Sequence, residues 1–493
     1  MYGITFPLEI TKEQKSLFGK RFFYYNRLKN SMIKRAQKLI RQLERNKEYM
    51  WARRQYGKLK EAKASKAALA PYATIMNEAR KEIGLTNFDL KTWIKPMRKK
   101  YSSFISSQQG QAISDSVWRA VEDYLFAVGE ILHLKRILET VSITQTTNSN
   151  GVKVDLEGEY IEWLGERVRF KVKHDKYVNE ALKAPFKFGY IKRQMFDSGW
   201  RYYLTLLFEG DPPLRFKPKY KVVAGLDIGT STVAFVSDKE AYLDNLSPRA
   251  VEYRPKLKSL DKKIDRKIRL ANPDNYDKNG KIKIGASKNG WKISKSCRRL
   301  KRKRKALFRK QAATTLQSHR EQLNKLLVNC REVVIEPMAF KSLQKRSKKT
   351  ERQEEATIIN DKPVHKYKRK KRFGSSLGLH APGKFISELK RKCELYHIDF
   401  REVDRNKYKA SQFNHANREY EKIELRQRSK TINGVQVQRD LYSAYLIKNT
   451  DDSLESPNFR KCVSGFKKFL KLQNERIEYM KSAGISNRAC FGF

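Results

Sequence analysis

Hydrophobic and polar positions follow two different periods along this chain, and the switches between them divide it. Residues 2–10, YGITFPLEI, alternate as a short strand, and Thr11 with Gln14 three residues on forms a capping box that predicts a helix start. Leu17, Phe18, Phe22, Tyr25, Leu28, Met32, Ala36 and Leu39 then recur at helical spacing, with basic residues over much of the remaining surface. From about residue 85 to 138 the period stays helical, and Ile113, Val117, Val121, Leu125 and Val128 mark one core stripe. Near residue 140 the period becomes two, through ETVSITQTT, VKVDLEGEYIEWLG, RVRFKVK, FKFGYIKRQMF and GWRYYLTLLFEG. In the last of these Trp200, Tyr202, Leu204 and Leu206 share one face, and Arg201, Tyr203 and Thr205 the other, as in a half-buried antiparallel sheet. Residues 2–10 have no other partner, so they are expected to join this sheet, with the helical segment as an insertion.

The Pro-containing stretch 210–221 marks a linker. Beyond it, Lys221–Asp238, KVVAGLDIGTSTVAFVSD, holds two apolar runs around a Gly- and Thr-rich turn, and a carboxylate, Asp227, interrupts the first run. Residues 288–329 have the composition of a long helix whose first part is packed with Lys and Arg. Residues 341–382 are polar and charged and are expected to form a lid-like loop. Then KFISELKRKCELYHI predicts a helix with Phe385, Ile386, Leu389 and Cys393 inward, followed by a strand at IDFREVD.

Charge sharpens this outline. The 493 residues exceed what one core serves, and contain 107 Lys and Arg against 53 Asp and Glu, a formal net charge of +54. Such a chain repels itself unless a polyanion neutralises it, so the expected partner is nucleic acid. A membrane surface is the alternative, but the basic residues are spread throughout, and no apolar run of about 18 residues is present. The density of cations from Lys295 to Lys310 marks Arg298, Arg299, Lys301, Arg302, Lys303, Arg304 and Arg309 as phosphate-binding candidates; a solvated helix face is the plainer explanation. The five cysteines, Cys297, Cys330, Cys393, Cys462 and Cys490, form no CxxC pair and fit reduced thiols with no zinc site. MYGITFPLEITKEQ lacks a secretory layout, so a cytoplasmic location is expected.

Two further acids stand in contexts like that of Asp227. Glu336 ends the apolar strand EVVIEP and Asp440 opens the helix DLYSAYLIKN. Taken singly, Asp227 could be a satisfied core carboxylate or turn residue, Glu336 a surface acid at a strand end, and Asp440 a helix N-cap. Together they can converge at one end of a mixed sheet. Three close carboxylates repel unless they hold cations, which is the two-metal arrangement for phosphodiester cleavage, with two Mg²⁺ ions. Gly225, Gly229, Ser443 and Ala444 are small enough for close packing around such a site.

GLDIGTSTVAFVSD, VVIEPMAF and VQRDLYSAYLI, in this order, resemble the three motifs of a RuvC-type, RNase H-like nuclease domain, and the layout around them resembles the TnpB nucleases and compact type V CRISPR effectors. The match also takes in PGKFISELKRKCELYHIDFREVDRNKYKASQ. The resemblance implies a multidomain α+β and α/β chain. Its parts would be a wedge-type β-barrel (1–10 and 140–215), an inserted helical recognition lobe (11–139), and a RuvC-like domain (216–406 and 437–493) with a basic bridging helix. It also implies guide RNA, transposon-derived or CRISPR, as partner, and double-stranded target DNA cleaved beside a short flanking motif. The family's zinc-ribbon cysteines fall at Asn414, Asn417, Lys430 and Asn433, so the insertion 407–436 is expected to be a degenerate ribbon without zinc. Arg428 falls where the family tends to carry an arginine near the scissile phosphate; a plain surface arginine is the other possibility.

Three rivals share parts of this pattern. DIGTSTV resembles the first phosphate loop of actin-like and sugar-kinase ATPases, but no second phosphate loop or adenosine site follows. A nuclease-inactive RNA-guided DNA-binding regulator would be expected to lose an acid, and none is lost. A transposase of the same fold would carry transposon-end recognition, of which the sequence gives no separate sign.

Overall fold

A computed structural model describes residues 1–125, 132–196, 198–278, 280–283, 290–340, 343, 352–359, 362–367, 374–422, 424, 427–485 and 491–493. The chain divides into two units, Met1–Pro213 and Leu214–Phe493.

In the first unit, β1 (Tyr2–Glu9), β2 (Ser142–Ile143), β3 (Val152–Asp155), β4 (Tyr160–Trp163), β5 (Glu166–Phe170), β6 (Phe186–Phe196) and β7 (Gly199–Phe208) form one sheet in the order β2-β6-β7-β1-β5-β4-β3. The amino-terminal strand sits at its centre. Tyr2 to Pro7 pair with β7, and Leu8 and Glu9 leave it to pair with β5. Pro7, which has no N–H to donate, stands where the partners change. The sheet curls enough for β3 to lie against β6: a Cβ on Gly189 would come 2.7 Å from Val154 Cγ2.

Helix α1 (Lys12–Leu43) starts with the Thr11–Gln14 capping box and buries Phe18, Phe22, Tyr25, Leu28, Met32, Ala36 and Leu39. Phe18 packs edge-on to Trp163 at 4.7 Å and to Tyr202 at 5.3 Å, which joins helix and sheet in one core. Then come α2 (Lys47–Glu61), α3 (Lys66–Glu82), α4 (Asn87–Lys99), α5 (Ser107–Leu125) and, before β6, α6 (Lys176–Leu182). The stripe Ile113, Val117, Val121 and Leu125 is buried, but the helical region does not run on to 138. Residues 132–138 form no helix, because α1 side chains take their carbonyls: Asn26 and Asn30 donate to Lys135 O at 2.9 and 2.8 Å, and Gln37 to Leu132 O at 2.6 Å. Val128 lies outside the described residues.

In the second unit, β8 (Val222–Ile228), β9 (Thr232–Ser237) and β10 (Ala241–Asn245) form an antiparallel meander. Helices α7 (Tyr253–Ala271) and α8 (Lys295–Leu327) lead back to β11 (Cys330–Ile335), which joins β8 in parallel. Next are the hairpin β12 (Arg352–Ile359)/β13 (Lys362–Tyr367), the helices α9 (Gly374–His380) and α10 (Pro382–Leu395), and β14 (Asp399–Glu402). β14 completes a sheet of order β10-β9-β8-β11-β14. Two small hairpins, β15 (Phe413–Asn414)/β16 (Glu419–Tyr420) and β17 (Ser429–Ile432)/β18 (Val435–Gln438), precede α11 (Arg439–Lys448) and α12 (Phe459–Ser482).

The stretch 341–382 is therefore not one loop: where described, it holds a hairpin and a helix, and α10 opens at its Pro382. Its polar composition hid both elements, since few apolar residues mark a period there; residues 341–342, 344–351, 360–361 and 368–373 lie outside the described residues. The expected linker also has order at its end. Phe216 stacks on Tyr396 at 4.1 Å, and Arg215 N donates to Tyr396 Oη at 3.2 Å, so these residues are fixed to α10. Cys297, Cys330, Cys393 and Cys462 are buried free thiols, and burial pushes Cys330, Cys393 and Cys462 up to about 12; Cys490 lies outside the described residues. No described helix is long and apolar enough to cross a membrane.

Candidate active site

Parallel pairing sets the first two acids beside each other. Leu226 of β8 stands opposite Ile335 of β11, so Asp227, still paired with Ala234 of β9, and Glu336, just past β11, each one residue further on, lie at the same end of the parallel pair. Helix α11 brings the third. A Cβ on Gly225 would fall 2.1 Å from Ala444 O and 2.3 Å from Lys448 N, so the backbones of β8 and α11 touch there. From that contact β8 runs forward to Asp227 while α11 runs back one turn to Asp440, and the two acids meet. Asp440 is not the N-cap: Gln438 is, its Oε1 accepting from Leu441 N at 2.7 Å. Asp440 instead occupies the first turn, where the positive end of the helix dipole favours a carboxylate.

The electrostatics follow from this convergence. Burial pushes the Asp227 carboxyl well above the usual carboxylate range; the charges of Asp440 and Glu336 push it further, against Arg439 and Arg428. Burial also raises Glu336, opposed by a hydrogen bond from the Ala410 backbone and by Arg405. Two arginines hold the remaining acid. Arg439 Nε and Nη2 each lie 3.1 Å from Asp440 Oδ1, and Arg428 Nη1 lies 3.7 Å from Oδ2. Arg439 Nη1 also donates to Gln427 O at 3.0 Å, while the buried Arg428 Nε has no hydrogen-bond partner among the described residues. Sequence inspection missed Arg439, although its place next to Asp440 in VQRDL was visible.

Three carboxylates without a soft ligand suit a hard divalent cation such as Mg²⁺. Among the described residues, however, no three Asp, Glu, His or Cys side chains stand close enough as placed to enclose one. Asp440 faces guanidinium groups on both oxygens. The donor set fits the ion in chemistry.

The phosphate-binding candidates lie on α8. Its carboxyl-terminal half is anchored in the core by Leu323, Leu326 and Leu327, whereas in its first four turns only Cys297 and Ala306 are buried. Arg298, Arg299, Lys301, Arg302, Lys303 and Arg304 are exposed, and Arg309 is half-buried. Arg304 pairs with Asp261 of α7 and lies 5.1 Å over the Phe308 ring. Helix α7, which the sequence showed only as part of a basic region, adds exposed Lys256, Lys258, Lys262, Lys263 and Arg266. Its signal was the helical spacing of Leu257, Ile264 and Ile268.

The segment 407–436, expected to be a degenerate ribbon, holds the hairpin β15/β16 and most of β17/β18. Asn433 and Gly434, with φ of 48° and 74°, form the two-residue turn of β17/β18, the conformation that selects Asn-Gly. Asn414 Oδ1 accepts from Ala416 N, and Asn417 Nδ2 donates to Glu419. Lys430, almost fully buried, donates from Nζ to Gln412 O at 2.9 Å and Phe413 O at 3.2 Å, so an ammonium links β17 to the start of β15. Lys430→Met removes both bonds, a loss of about 2 kcal/mol, although Gln412 O keeps its bond from Glu421 N. Denaturant unfolding checks this, and a zinc chelator is expected to leave the wild-type curve unchanged.

No protein-family model and no curated protein matches the chain. Among solved structures, a cryo-EM Cas12f1–sgRNA–target DNA complex aligns at a TM-score of 0.40 with 10% identity, covering 85% of this chain and 82% of the other. A cryo-EM CRISPR–Cas12f ternary complex aligns at 0.25 with 12% identity, covering 89% and 82%. At these scores the likeness assigns neither fold nor activity.

Proposed function

We propose that the chain is an RNA-guided DNA endonuclease whose active centre is Asp227, Glu336 and Asp440. The observation that carries it is the convergence of three acids from two parallel strands and a helix start, in a protein of net charge +54. Acids at such a junction cost stability, and in a basic protein they are explained by cations that act on phosphate.

In this function Asp227, Glu336 and Asp440 would hold magnesium, which when bound supplies a water of lowered pKa and neutralises charge on the phosphate. The chain's own residues shape the rest. The Gly225 contact sets the spacing of β8 and α11, the first turn of α11 favours the Asp440 charge, and Arg428, beside Asp440, would meet a phosphate oxygen. The exposed cations of α7 and α8 would track the sugar-phosphate backbones of a guide–target duplex. An inactive regulator would not need all three acids, and nothing in the site favours one.

The test is purification from cells that also carry the flanking locus. A discrete co-purifying RNA, and cleavage directed by its sequence, is the expected result; protein free of discrete RNA would sink the guided mechanism. Replacing Arg298, Lys301 and Arg302 by alanine is expected to flatten the salt dependence of nucleic-acid binding, the log–log slope falling by up to ~0.9 for each phosphate that is no longer neutralised. An unchanged slope in a salt titration would remove α8 from the interface.

A further inference from the structure

The two oxygens of Asp440 are engaged before any cation arrives. Arg439 reaches Oδ1 with two nitrogens at 3.1 Å, and its third anchors on Gln427 O at 3.0 Å, so the guanidinium is braced from both sides. Its side chain is 12% exposed and that of Asp440 10%, so water screens the pair little. The same carboxylate acts on the buried Asp227, which Glu336 also repels, and that repulsion has to be offset whether or not metal is present. A bidentate arginine supplies that positive charge from within the chain.

We propose that Arg439 is an internal counter-ion which Asp440 exchanges for the divalent cation, so that Arg439 and the metal compete for one carboxylate. This rests on the metal-dependent nuclease function above. The exchange explains why three converging acids do not form a closed ligand cage as placed. It also lets the site fold without its cation, because Asp440 never has to be both buried and unpaired. The cost falls on cation affinity, since each binding event has to break the Arg439 pair.

The experiment is Mn²⁺ binding to the full chain without nucleic acid, followed by electron paramagnetic resonance and calorimetry, for wild type, Arg439→Gln, Arg439→Lys and Asp440→Asn. Arg439→Gln is expected to bind Mn²⁺ about tenfold tighter, equivalent to about 1.4 kcal/mol. Arg439→Lys, which keeps the charge and loses the fork, is expected to fall between it and wild type, and serves in its place if the glutamine variant does not fold. Asp440→Asn is expected to lose the site. If Asp440→Asn loses Mn²⁺ while the Arg439 variants bind as wild type or more weakly, the counter-ion role is overturned and the metal site stands. If Asp440→Asn binds Mn²⁺ as wild type does, the metal site itself is misplaced, and the exchange falls with it.

Discussion

Asp227→Asn is expected to lower Mg²⁺-dependent DNA cleavage by about 10³-fold or more, the scale of losing a primary catalytic group, while making the cation-free protein more stable. The second effect follows from the first residue's surroundings. Burial and the neighbouring charges of Asp440 and Glu336 raise the folded-state pKa of Asp227 above its unfolded value. The stability its protonation provides is complete below about pH 4, the ordinary carboxylate range, and is lost as pH rises through the folded value. At neutral pH the ionised group therefore opposes folding, and asparagine, which keeps the shape without the charge, relieves it. An increase in melting temperature of about 2–4 °C, the usual response to ~1 kcal/mol in a domain of this size, is expected without divalent ions. Adding Mg²⁺ should narrow that gap, because wild type gains from binding and the variant gains less. A variant that loses stability in the absence of metal would show Asp227 to be a satisfied structural carboxylate and not a strained functional one.

What could be read from the sequence was set by how strongly each position constrains its neighbours. The strands that carry Asp227 and Glu336 were legible because buried parallel strands are nearly continuous apolar runs, and one carboxylate in such a run stands out. Thr11 and Gln14 marked the start of α1 because capping is local chemistry. The end of the helical insertion was not legible. Asn26, Asn30 and Gln37 hold the segment after α5 through contacts about a hundred residues distant in sequence, and periodicity carries no trace of them. Nor was the hairpin Arg352–Ile359/Lys362–Tyr367, whose sequence is dominated by charge. At the site, the acids could be found one by one, but Arg439 could not be assigned a role. Its importance lies in the pairing with Asp440 and Gln427, which only the fold of β17, β18 and α11 creates. Lys430 followed the same rule: beside the expected ribbon it was a missing ligand, and in the structure it is a cation with two carbonyl partners.

Gly225→Ala should be the most damaging single-methyl change in the second unit. The added carbon would lie 2.1 Å from Ala444 O, 2.3 Å from Lys448 N and 2.9 Å from Lys448 Cα, all of them backbone atoms. No rotamer change can clear them. Either β8 bends or α11 lifts away, and both are bound elsewhere. β8 is hydrogen-bonded on both sides, to β9 and β11, while Leu441, Tyr442, Ala444, Tyr445, Leu446 and Ile447 of α11 are all buried. Overpacking in a core costs about 1–3 kcal/mol, and a clash confined to main chain belongs at or above the top of that range. The same displacement moves Asp440 relative to Asp227, because both are positioned from the contact at Gly225. Cleavage should therefore fall even under conditions where most of the protein is folded, and Mn²⁺ affinity should fall with it. Alanine at Gly229 is the control, since there the nearest atom is the Thr232 hydroxyl at 3.0 Å, a side chain that can rotate. Denaturant unfolding of the two variants separates the cases: a Gly225→Ala protein as stable as Gly229→Ala would mean that the strand and helix are not in backbone contact, and that Asp440 reaches the sheet edge by some other route.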